Sequence, residues 1–224
     1  FTLPEILSAD LSNLVLDMAH WGVLDPARLA FIDPPPPAPQ QELLFVPQWG
    51  NSAIEVHARG ENGFELVNVA SLPQHARPNA VAFSPDGRLW VVDAGNPNRL
   101  LAYQREDVAR LTRPVPVAIV TPQGNGTGDY FSLAFHGDHA YVSQGFGVNQ
   151  VLKLPLSALS SSGSPVPQLL THAEFDVPAG LAFDSEDRLW VSNYGSDRLV
   201  QIDPVSGAFG CSIHPRQMLP GGGF

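Results

Sequence analysis

Four copies of one apolar triplet, each ending in phenylalanine, recur along this chain: Leu29-Ala-Phe31, Val81-Ala-Phe83, Leu133-Ala-Phe135 and Leu181-Ala-Phe183. Their starts at 29, 81, 133 and 181 lie 52, 52 and 48 residues apart. A period of about 50 residues marks a tandem architecture, in which each unit buries its apolar surface against its neighbours. The last three triplets run into turn sequences, Ser84-Pro-Asp-Gly87, His136-Gly-Asp-His139 and Asp184-Ser-Glu-Asp187. The first runs instead into the proline-rich insert Asp33-Pro-Pro-Pro-Pro-Ala-Pro39, read as a surface excursion.

After each turn comes a second strand signal with an aromatic centre, at Phe45, Trp90, Tyr141 and Trp190. A Gly/Asn-rich loop follows, at 48–51, 94–98, 144–149 and 193–197, and then a third strand at 53–56, 99–103, 150–154 and 198–202. Fourth strands fit at 64–69, 117–120, 166–170 and 208–213. Four short strands per repeat is the pattern of a β-propeller blade. The expected fold is therefore all-β, a β-propeller with about four visible four-stranded blades over 29–224, as a small ring or part of a larger one. Residues 1–28 read either as a short helix capped by Ser8 or as outer strands of a preceding blade. The central aromatics are expected in the core between blades.

Composition narrows the function. The formal net charge is −10, and Lys153 is the only lysine. Nucleic acids and anionic membranes demand clustered positive charge, so neither is an expected partner. No apolar run reaches the length of a transmembrane helix. The single cysteine, Cys211, cannot form an internal disulfide and reads as a small buried residue in a late strand. His136 and His139 fall in a hairpin turn rather than in a metal pair, and Ser160-Ser-Ser-Gly-Ser164 reads as a flexible linker.

The stretches Pro78-Asn-Ala-Val-Ala-Phe-Ser-Pro-Asp-Gly-Arg-Leu-Trp-Val-Val-Asp93 and Pro178-Ala-Gly-Leu-Ala-Phe-Asp-Ser-Glu-Asp-Arg-Leu-Trp-Val-Ser-Asn-Tyr194 resemble NHL and SMP-30/gluconolactonase-like repeats. The spacer from Leu154 to Pro167 resembles that of exported bacterial proteins of the same superfamily. The resemblance implies a propeller working outside the cytoplasm, at the periplasm, cell surface or beyond. The chain opens on Phe1 rather than Met, as after removal of a signal peptide or trimming.

Sugar-lactone hydrolases of the SMP-30 type hold a divalent metal through a Glu, an Asn and an Asp before the innermost strands. Four residues before the repeated phenylalanines stand Ala27, Asn79, Phe131 and Ala179, so Asn79 alone matches. Streptogramin lyases use paired histidines at the tunnel mouth, and none of the seven histidines here falls at that register. The metal-dependent lactonase or esterase, with Ca²⁺ or another divalent ion, is the alternative reading. The preferred one is a non-catalytic binding or scaffold propeller, without a cofactor. It takes a protein partner or small ligand and can serve as a subunit of a larger assembly. Its surface is the loop face, which carries Trp49, Asn51, Asn96, Asn98, Gln144, Phe146, Asn149, Asn193, Tyr194 and Asp197.

Overall fold

The structure, a computed structural model, describes residues 42–123 and 127–214. The chain divides into Phe1–Glu42 and Leu43–Phe224. All four sheets lie in the second unit, whereas only Glu42 of the first is described. The readings for 1–28, for the triplet at 29–31 and for the proline run therefore lie outside the described residues.

The first sheet contains β1 (Leu43–Gln48), β2 (Ala53–Gly60) and β3 (Gly63–Ser71). The second has β4 (Pro78–Phe83), β5 (Leu89–Asp93), β6 (Arg99–Tyr103) and β7 (Ala118–Val120). The third has β8 (Asp129–His136), β9 (His139–Gly145), β10 (Gln150–Pro155) and β11 (Gln168–Thr171). The fourth has β12 (Pro178–Phe183), β13 (Leu189–Asn193), β14 (Arg198–Ile202) and β15 (Phe209–Ile213). Each sheet is an antiparallel meander in chain order, so the fold is a β-propeller with four blades among the described residues. The innermost strands pack in sequence, β4 on β8 and β8 on β12.

The core lies between blades. In β5, Leu89 and Val91 join the cluster shared with the first blade, while Trp90 and Val92 join the one shared with the third. The same alternation splits Leu101 and Tyr103 from Leu100 and Ala102 in β6. Both faces of these strands are buried, which explains why they read as continuous apolar runs. The central aromatic of each blade meets the triplet phenylalanine of the next. Ring centroids are 5.6 Å apart for Phe45–Phe83, 6.4 Å for Trp90–Phe135 and 5.0 Å for Tyr141–Phe183. Trp190, with no following blade among the described residues, is only half-buried.

Three features differ from the sequence reading. First, β4, β8 and β12 all shift register near their starts, between Pro78 and Ala80, Tyr130 and Leu133, and Pro178 and Leu181. The bulges leave backbone donors off the ladder. Ser143 Oγ accepts from Ser132 N at 3.0 Å, and Ser192 Oγ accepts from Gly180 N at 2.8 Å. Second, residues 104–116 contain a short helix, α1 (Arg105–Arg110), whose buried Val108 fills the cluster between the first two blades. Third, the serine run after β10 is not a free linker. Gly163 N donates to Ile119 O at 3.0 Å and Thr121 N to Gly163 O at 2.9 Å, so the run covers the edge of β7. An unpaired sheet edge leaves donors and acceptors open, and this segment satisfies them. Cys211 lies in the late strand β15, as expected, but is half-buried rather than buried.

Candidate binding face

The loops after each second strand share one end of the propeller with the connections that enter the innermost strands. In the last three blades the geometry of that end is set by the residue three positions after the central aromatic, at or next to the end of the second strand: Asp93, Gln144 and Asn193. All three are buried. Asp93 is fully enclosed; its Oδ1 accepts from Arg77 N at 2.7 Å and Gly95 N at 2.9 Å, and its Oδ2 accepts from Arg99 Nε at 2.7 Å. Gln144 donates from Nε2 to Gly128 O at 3.3 Å and accepts at Oε1 from Gln150 Nε2 at 2.8 Å. Asn193 donates from Nδ2 to Glu174 O. Each side chain thus staples the loop leading into its own blade's innermost strand.

This corrects the expected surface at two positions. Gln144 and Asn193 do not face a partner, because both are buried and spend their amide groups on hydrogen bonds within the protein. Asn149 is exposed, yet its Oδ1 accepts from Val177 N at 3.2 Å. Asn98 is half-buried and donates to Gly128 O. Trp49, Asn51, Asn96, Phe146, Tyr194 and Asp197 are exposed.

Two groupings emerge. One is a cleft of about 960 Å³ lined by Trp49, Asn96 and Asn98 together with His75, Arg77, Thr127 and Asp129. The Arg77 guanidinium lies 5.4 Å from the Trp49 ring centroid, a cation–π stack. The other is an aromatic row. Phe131 and Phe146 meet edge to face at 5.4 Å, and Phe146 and Tyr194 at 6.1 Å. Sequence reasoning missed His75, Arg77 and Thr127, which stand in the connections into innermost strands. The triplet register points to those segments, but no residue type there stood out.

The backbone of this end is strained. Among the described residues, six non-glycine residues have left-handed φ, and Ser52 (49°), His75 (66°), Phe146 (56°), Val177 (52°) and Asp197 (53°) all lie here. Only Asp187, at 60°, sits in a turn at the opposite end. For a β-branched residue such as Val177 this conformation is a genuine outlier. Phe146 is flanked by Gly145 and Gly147, and a Cβ on Gly145 would come within 2.9 Å of the Val177 side chain. The loop is wedged between its neighbours, and its phenylalanine projects outward.

Asn79 lies in the bulge of β4 and donates from Nδ2 to Tyr130 O at 2.6 Å, bridging two innermost strands. Among the described residues, no group of three or more His, Cys, Asp or Glu side chains is arranged to hold a metal ion. The two turn histidines take different partners: His136 stacks on Phe183 at 4.1 Å and reaches Asp187 at 3.3 Å, while His139 contacts Asp138. At that opposite end, the Trp190 indole N–H, and then Arg188, hold the Asp184 carboxyl well below the usual carboxylate range. No helix among the described residues is long and apolar enough to cross a membrane.

No known family profile matches the chain. A stretch of 33 residues, 15% of this chain and 4% of the other, is 48% identical to the ATP-dependent RNA helicase HrpB of Escherichia coli. So short a segment defines no family. Among solved structures, a Lactobacillus plantarum protein superimposes with a TM-score of 0.58 at 16% identity, over 78% of this chain and 55% of that one. A catalytically inactive virginiamycin B lyase from Staphylococcus aureus with quinupristin gives 0.57 at 12% identity, over 78% and 53%. The chain spans about half the length of these structures. The class so defined is the β-propeller, and at these identities the likeness is one of fold.

Proposed function

We propose that this chain is a non-catalytic binding propeller, working outside the cytoplasm, whose loop face engages a protein partner. The observation that carries this reading is the concentration of left-handed non-glycine backbone on the one face that also exposes Trp49, Phe146 and Tyr194. Such strain persists where the surrounding structure over-determines it, and it clusters where a surface is preorganised for recognition. Phe146 is 54% exposed and Tyr194 71% exposed, so both present aromatic area that folding alone does not use. Large amphipathic side chains of this kind form the anchors of interfaces.

The test is native isolation of the chain from its own cells, with and without Phe146→Ala and Tyr194→Ala. The expected result is a complex whose partner is lost from the double variant while the melting temperature stays within about 2 °C. A partner retained in full by that variant would refute the reading. The cleft beside Trp49 favours a second, compatible reading, a small polar ligand held by Arg77 and Asn96. Loss of a co-purifying small molecule in Arg77→Met would support it, and unchanged retention would refute it.

A further inference from the structure

The charges around the aromatic row specify what docks there. Tyr194 N donates to Val177 O at 2.9 Å and Gly195 N to Asp176 O at 3.0 Å, which brings the connection into β12 against the loop between β13 and β14. A side chain at Gly195 would collide with the Asp176 carboxylate, so that carboxylate lies directly beside the backbone of Tyr194 and Gly195. Asp197, exposed and held at φ 53°, stands in the same loop. No salt bridge to Asp176 or Asp197 is found among the described residues. The cation next in the chain, Arg198, donates from Nη1 to Ser212 Oγ at 3.3 Å on β15. Lys153, the sole lysine, is buried and donates to Pro204 O at 2.9 Å.

Two aromatic rings with open surface thus stand beside two carboxylates with no cation of their own, on a chain of net charge −10. Aromatic faces attract guanidinium and ammonium groups, and a neighbouring carboxylate adds a charge-assisted hydrogen bond. Acidic partners and anionic lipid are repelled by the same field. We infer that the Phe146–Tyr194 row, with Asp176 and Asp197 at its rim, docks a protein segment that presents an arginine or lysine side chain. The inference rests on the binding-face reading and names the chemistry of its partner.

The experiment is selection of a random phage-displayed peptide library on the full chain, followed by affinity measurement of the recovered peptides. The expected peptides carry Arg or Lys beside an apolar residue. Their affinity should fall about 5- to 10-fold in Asp176→Asn/Asp197→Asn. It should fall comparably in Phe146→Ala, and it should weaken as salt rises from about 0.05 to 0.5 M. The aspartate variants are near-isosteric, and an unchanged melting curve confirms that they fold. Peptides that depend on Phe146 and Tyr194 but ignore both aspartates and salt would overturn the cationic partner and leave the binding face standing. Peptides indifferent to the aromatics as well, or no recovery above background, would overturn both. Self-association that occludes the row would replace the cationic segment with a second copy of this chain.

Discussion

Asp93→Asn probes the device that shapes the loop face. The wild-type carboxylate is fully buried and accepts three hydrogen bonds, two from the backbone N–H groups of Arg77 and Gly95 and one from Arg99. In the amide, Oδ1 stays an acceptor but loses its charge, which costs about 1 kcal/mol at each backbone bond. The other position becomes an N–H aimed at the Arg99 Nε–H, so that bond is lost. The Arg99 side chain is 23% exposed and recovers water, which holds this loss to about 1 kcal/mol. Relief of the buried carboxylate's desolvation offsets part of the sum. The net destabilisation is about 2 kcal/mol, or a fall of about 4–8 °C in melting temperature. Urea unfolding with an unchanged m-value measures it, and amide exchange at Arg77 and Gly95 should accelerate. A loss below about 0.5 kcal/mol, or unaltered exchange at those two amides, would refute the staple.

Four further outcomes are expected. Trp90→Ala should cost about 3–5 kcal/mol by calorimetry or urea melts, because the ring is fully buried against Phe135 of the next blade. Trp190→Ala should cost clearly less, since that ring is half-buried and stacks on no following blade among the described residues. Phe146→Asn should leave stability within about 1 kcal/mol, as relief of left-handed backbone offsets the lost ring contacts, while binding is abolished. Asp184 has a folded pKa below its unfolded value of 3.8, so its stabilisation is present above about pH 4 and fades as pH falls below that. Asp184→Asn should therefore flatten the acid limb of melting temperature against pH between about 4 and 2, and an unchanged limb would contradict the Trp190 and Arg188 hydrogen bonds.

The blade pattern was legible because it is written twice, in the triplet spacing and in the turn chemistry that follows. The central aromatics Phe45, Trp90 and Tyr141 could be assigned to the core between blades, since a sheet with two apolar faces needs a neighbour on each side; their meeting with Phe83, Phe135 and Phe183 of the next blade is visible only in the fold. Helix α1 was hidden because Arg105–Arg110 carries one buried apolar residue, Val108, and six residues with one anchor show no period. The bulges in β4, β8 and β12 leave no compositional trace either. In β8 and β12 their cost is met by Ser143 and Ser192 from the adjacent strand, a cross-strand relation that linear reading does not expose.

The face itself was legible as a set of loops but not residue by residue. Exposed aromatics such as Trp49, Phe146 and Tyr194 stood out because an apolar ring in a Gly/Asn loop has no local partner. Gln144 and Asn193 looked the same as Asn51 and Asn96 in sequence, but strand position buried the first pair and exposed the second. Arg77 and Asp176 entered only through the folded geometry, one by stacking on Trp49 and the other by lying beside Gly195.

Site-specific photo-crosslinking tests the central claim most directly. A benzophenone amino acid is placed at Phe146 or Tyr194 on the loop face, or at Pro85 or Ser185 in the turns at the opposite end, in the cells that make the protein. The account predicts a discrete adduct with one partner from the first two positions and none from the second two. Equal labelling from both ends, or adducts confined to Pro85 and Ser185, would contradict it.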